Sequence, residues 1–191
     1  MITVNDLSEI PAFLGRSPVG LPFTGLLAQE EEYTVPFYFL RVTQDPVLFV
    51  HFNGAVDRNI RPNGVVFQRQ SWAHDMRGSL LYLSDPSILN VEGMSLGWGQ
   101  TPLDMKFFPS FAAEVAKTFS VWLEIDNRVY AGSSAGGYQA AAAAVFDENA
   151  RAWVNNAQFD WTRYESVTSV NRVVNMLGFS TVEELKRSAA L

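Results

Sequence analysis

The stretch Gly132-Ser133-Ser134-Ala135-Gly136 fits the pattern G-x-S-x-G. The pattern has a mechanical meaning when a strand precedes it and a helix follows. A serine hydroxyl is a weak nucleophile, and a sharp strand-to-helix turn presents it. The new helix then aims its N-terminal N–H groups and positive dipole end at the reacting centre. Flanking glycines are needed because side chains there would collide with the turn. The local context agrees. An apolar strand, Val129 to Ala131, comes before, and alanine-dominated Tyr138 to Phe146, of high helix propensity, comes after. The competing readings are a glycine-rich turn without catalysis and a phosphate-binding loop. The second lacks the G-K-[ST] ending and a nearby lysine.

Such a serine needs a base, and the base needs an orienting acid. Histidine occurs twice, at His51 and His74, and cysteine not at all. Disulfides, thiolate zinc sites and a cysteine nucleophile are thereby excluded, and a His-rich metal site is not expected. His74 lies in a polar segment beside Asp75, and because adjacent residues do not face each other it reads more readily as a surface histidine than as the base. His51 ends an apolar run and reads more readily as a histidine hydrogen-bonded at a strand end. Asp160 follows a strand reading at 152–156 and is the best choice for the acid, with a turn cap as its alternative. Asp147 and Glu148 end the alanine helix and read as solvated.

The elements that must position these groups alternate. With 48% apolar and 18% charged residues, the 191-residue chain has the composition of a folded domain with a sizeable core. Its net charge of −6 gives no case for nucleic acid or an anionic membrane surface. Residues 1–32 read as an irregular segment, broken by Pro11, Gly15, Pro18, Gly20, Pro22 and Gly25, with a solvated acidic edge at 30–32. Residues 33–43 read as a strand, placed at an edge by Pro36. Val47 to Phe52 and Leu80 to Leu83 are apolar runs suited to strands buried on both faces. Residues 68–77 read as a loop or short helix, and glycine-rich 92–100 as a loop. Phe108, Phe111, Ala112, Val115 and Phe119 share one face of a helix over 107–119. Residues 121–125 read as a strand or helix end. Residues 166–177 and 182–191 read as helices, with Gly178 as a stop and Ser180 and Glu183 at capping-box spacing. This alternation implies an α/β layered domain over 33–191, a mostly parallel sheet with helices on both faces. A nucleotide-binding α/β domain fits the alternation too, but G-x-G-x-x-G and a P-loop lysine are missing.

Two motifs, GSSAGG at 132–137 and HFNGA at 51–55 directly after a buried strand, resemble those of the α/β-hydrolase superfamily over roughly residues 35–165. The resemblance implies a three-layer fold and an acyl-enzyme on Ser134. It implies one oxyanion donor at the Ala135 N–H and a second near Gly54 or Ala55. The combination with LLYLSDPS and LGWGQ looks like a bacterial branch related to accessory-secretion and surface-polysaccharide acyltransferases. In the superfamily the order along the chain is Ser, then Asp or Glu, then His. No histidine follows Ser134. Three explanations stay open: a chain abbreviated at its C-terminus, a degenerate domain that binds a carbohydrate or protein, or a base drawn from His74, His51 or a partner subunit. His51, Asn53, Asp85 and Trp98 are the substrate-binding expectations. Asn53 and Asp85 read more readily as turn residues, and Trp72, Trp98 and Trp161 more readily as core than as sugar-stacking surfaces. The implied substrate is a small ester or acylated carbohydrate, with no cofactor, a cytoplasmic location and a possible homo-oligomer.

Overall fold

A computed structural model describes residues 2–16, 18–30 and 33–189. Glu31 and Glu32, two of the three acidic residues expected at a solvated edge, lie outside the described residues.

Seven strands form one sheet: β1 (Ile2–Val4), β2 (Pro22–Glu30), β3 (Tyr33–Leu40), β4 (Val47–Phe52), β5 (Ser79–Leu83), β6 (Asn127–Ser133) and β7 (Ala150–Asn155). Their order is β1-β2-β3-β5-β4-β6-β7. The strands β5, β4, β6 and β7 are parallel, whereas β3 runs antiparallel to both β2 and β5. The helices are α1 (Ile10–Leu14), α2 (Pro86–Asn90), α3 (Phe108–Leu123), α4 (Ala135–Val145), α5 (Val167–Met176) and α6 (Val182–Ala189). None of the helices among the described residues is long and apolar enough to cross a membrane.

The main core forms between one sheet face and α1, α3 and α4. Side chains alternate across a strand, so Leu48, Val50 and Phe52 of β4 and Tyr130 of β6 enter this core beside Leu81 and Leu83 of β5. The helical face expected on α3 is buried there in full. Residues 121–123 end that helix, and Glu124 closes it with φ 57°, the left-handed residue common after a helix. On the other sheet face, Tyr38, Leu80 and Tyr82 pack under Phe67, Ala73 and Met76 of the segment between β4 and β5. A third cluster joins α5 to Trp98, Trp161 and Ala135.

The described residues of the N-terminal segment are not irregular as expected. They contribute β1, α1 and β2. Gly25 is not a breaker: a Cβ there would stand 2.5 Å from the Phe37 ring and 2.6 Å from the Ile2 carbonyl, so close neighbours require glycine inside the strand. Pro36 likewise sits on an internal strand rather than at an edge. Its carbonyl accepts the Ser84 N–H beyond Phe37–Leu83, the last pair of the β5 ladder, so its missing N–H falls where that ladder has ended. The cap of α6 lies one residue later than its spacing suggested: Glu184 N–H donates to Thr181 Oγ1, and Glu184 accepts from Ser180 N–H.

Candidate functional site

Ser134 stands between β6 and α4 with φ 57° and ψ −126°. A non-glycine residue at such a backbone is held there at a cost on the order of 1–3 kcal/mol, so its surroundings must fix it. Ser134 N–H donates to the Asn155 carbonyl at 3.0 Å, and the Ser134 carbonyl accepts from Gly137, Tyr138 and Gln158 N–H. Both motif glycines are sterically required. A Cβ on Gly132 would lie 2.1 Å from the Gly136 carbonyl oxygen, and one on Gly136 would lie 2.6 Å from that of Phe52. The first turn of α4 thus rests directly on β6 and on the end of β4.

The turn after β4 meets the elbow. A Cβ built on Gly54 would lie 3.7 Å from Ser134 Cβ. The Gly54 N–H is already engaged, donating to Gln68 Oε1 at 2.9 Å, while Gln68 Nε2 donates to the Ala55 carbonyl. Gly54 therefore does not present a free oxyanion donor. Ala55 is exposed beside it. Ala135 is the first residue of α4, where a helix leaves its N–H groups without partners inside the helix.

Three substrate-binding expectations are corrected by burial. Asn53 is 2% exposed, and its side chain is spent on the Asp85 N–H and the Gly54 carbonyl. Asp85 is 1% exposed and caps α2 by accepting from Ser87 N–H and Oγ–H, while its second oxygen accepts the Gly99 N–H. Burial pushes the Asp85 carboxyl above its ordinary value, against the pull of those hydrogen bonds. Trp98 is fully buried, stacked on Trp161 at 5.7 Å and donating to Gln158 Oε1. Trp98 and Trp161 are core residues, and only Trp72 of the three tryptophans is exposed. Gln139, unremarkable in sequence, ties α4 to this network by donating to the Asn53 carbonyl.

The two histidines part company. His51 is buried, stacked on Tyr82 at 4.6 Å, and burial first, then Arg69, lowers its pKa to about 4. Its expected strand-end hydrogen bond is not there: Nε2 has no partner among the described residues. The ring lines a cleft of about 240 Å³ with Arg69, Trp72, Ser133, Trp153 and Asn155. His74 ends the short 3₁₀ turn Gln70–His74 and lines a separate depression with Tyr38 and Gln70. Asp160 is exposed and accepts from Thr162 Oγ1 as it opens a 3₁₀ turn. Among the described residues, Ser134 Oγ makes no hydrogen bond to either histidine or to Asp160. Neither His74→Gln nor Asp160→Asn is therefore expected to change Ser134 reactivity, whereas removing a working general base ordinarily costs about 10²–10⁴-fold. Reaction rates with an acylating probe check this.

No family model and no curated protein matches the chain. Solved structures do. A chain of a glycosylation-associated protein complex from Streptococcus agalactiae superposes with TM-score 0.63 at 15% identity, over 87% of this chain and 31% of that one. A capsule O-acetyltransferase of Neisseria meningitidis serogroup A gives 0.50 at 12% identity, over 77% and 62%. A poly(3-hydroxybutyrate) depolymerase from Bordetella parapertussis gives 0.45 at 17% identity, over 71% and 50%. The chain thus spans less than two thirds of the length of each. The mostly parallel sheet and the strand–serine–helix elbow form an α/β-hydrolase-like fold, shared with the first two of these solved structures.

Proposed function

We propose that this chain carries the nucleophile of a serine acyl-transfer site, acting on a small ester or an acylated carbohydrate. The observation that carries this reading is the backbone of Ser134, held at φ 57° between a strand and a helix N-terminus. In the step proposed, Ser134 Oγ attacks the ester carbonyl carbon and an alkoxide leaves. The hydroxyl proton passes to a base, and the Ala135 N–H, with a second donor at Ala55, faces the oxyanion. The likeness to a capsule O-acetyltransferase favours acyl transfer as the reaction class.

A second reading has one specific observation in its favour. Among the described residues Ser134 has no base as a hydrogen-bond partner, and Gln68 occupies the Gly54 N–H. A degenerate domain that binds a carbohydrate or a protein partner accounts for that, and a glycosylation-associated complex is among its structural neighbours.

Exposure to p-nitrophenyl acetate, with and without added imidazole as an external base, separates the two. The enzyme reading expects an acetyl group on the peptide containing Ser134, formed faster with imidazole and lost in Ser134→Ala. No acetylation of that peptide under either condition would favour the binding domain.

A further inference from the structure

The cleft beside the elbow is lined by Ser133 rather than Ser134 and is not used by the acylation step. It forms where β4, β6 and β7 leave a sheet face open under the segment between β4 and β5. His51 of β4 pairs with Ala131 of β6, which pairs in turn with Trp153 of β7, so these three residues lie side by side across the floor.

Its lining holds one cation in a chain that is acidic overall. Arg69 projects into it from a left-handed backbone, φ 64°. That conformation is fixed from three sides. The Arg69 guanidinium donates to Ser133 Oγ, its carbon lies 5.2 Å from the centre of the Trp72 ring, and its carbonyl accepts the Tyr82 hydroxyl. No carboxylate lines the cleft among the described residues. His51, only 4% exposed, forms part of the floor with its ring stacked on Tyr82. At the rim, Trp72 and Trp153 are 43% and 56% exposed, with ring centres 6.4 Å apart and planes inclined by 34°.

These features select a ligand. A planar guanidinium matches a carboxylate in geometry, and a single cation matches a single negative charge. Exposed indole faces offer flat apolar area suited to the C–H face of a sugar ring. At about 240 Å³ the cleft falls below the roughly 300–1,000 Å³ of pockets for drug-sized molecules, which limits the occupant to about one ring. We propose that this cleft binds a monosaccharide carboxylate, its carboxylate on Arg69 above His51 and its ring against Trp72 and Trp153. The site is read by binding alone, so it stands or falls apart from acylation at Ser134.

Titration of the protein with D-glucuronate, followed by tryptophan fluorescence and by amide NMR shifts, tests it. Saturable binding is expected, with shifts centred on Arg69, Ser133 and Trp153, and with D-glucose and acetate each at least about tenfold weaker, the equivalent of about 1.4 kcal/mol. Arg69→Gln should lose about tenfold or more. Trp153→Ala, at a half-exposed position, should lose several-fold and keeps the test open should the Arg69 variant not fold. No saturable binding of D-glucuronate would overturn the proposal. So would an affinity unchanged in both variants, or inorganic phosphate binding as tightly as D-glucuronate.

Discussion

Replacing Asp147 with alanine is expected to lower the unfolding free energy by about 3–5 kcal/mol, the usual cost of stranding one member of a buried ion pair. Asp147 lies in the loop between α4 and β7, and its side chain is 1% exposed. It accepts from Arg128 Nε and Nη2, the latter at 2.7 Å, and from the Tyr130 hydroxyl at 2.8 Å. The substitution leaves a guanidinium of 9% side-chain exposure without its carboxylate and a buried phenol without its acceptor. Against a typical stability of about 5–15 kcal/mol, that is a large share. The pH dependence follows as well. Burial alone would raise the Asp147 carboxyl, but the hydrogen bonds from Arg128 and Tyr130 outweigh it and hold the group below its ordinary 3.8. A depressed carboxylate stabilises the fold above its unfolded pKa, and that contribution fades as pH falls through the depressed value. Asp85, raised by burial, has the opposite sign: its contribution is full below its ordinary value and fades as pH rises through the raised one. Denaturant unfolding of the Asp147→Ala variant across acidic pH should thus show a lower stability at neutral pH and a shallower acid-side loss than the parent.

The second large effect is expected at Gly132. A Cβ there would meet the Gly136 carbonyl oxygen at 2.1 Å, its carbon at 2.3 Å and the Gly137 nitrogen at 2.9 Å. All three are backbone atoms, so no side chain can swing aside, and the first turn of α4 must retreat from β6. Overpacking typically costs about 1–3 kcal/mol and occasionally more, and Gly132→Ala belongs at or above the top of that range. The retreat also moves Ser134 and Ala135, so the Ser134 reaction rate should fall with the melting temperature. Gly20→Ala is the control. Unlike Gly132, that glycine has a positive φ, 79°, and nothing lies within 4 Å of the added Cβ. Its substitution should cost about 1 kcal/mol and leave Ser134 reactivity unchanged.

The elbow and the central strands were legible in the sequence because each is a local signal. Gly132 and Gly136 bracket a serine, and Val47 to Phe52 is apolar but for His51, as suits a strand buried on both faces. The N-terminal strands were not legible, because the need for Gly25 is set by Phe37 and Ile2, which local pattern cannot see. The same holds for polar groups. Asp85, Asn53 and Asp147 read as turn, substrate or solvent residues, yet their partners lie as far away in sequence as Asn53 from Asp85. Arg69 and Gln68 gave no motif at all. Their roles arise from a left-handed residue and from a segment that folds back over the sheet. The only sequence hint was the apolar Val65 to Phe67 run that anchors it.

The central claim is that Ser134 is a reactive nucleophile. The most direct test is treatment of the chain with a fluorophosphonate followed by peptide-level mass mapping, alongside Ser134→Ala and Ser133→Ala. The account predicts an adduct on Ser134 in the parent and in Ser133→Ala, and none in Ser134→Ala. No adduct on Ser134 in the parent, or labelling that persists in Ser134→Ala at the same rate, would contradict it.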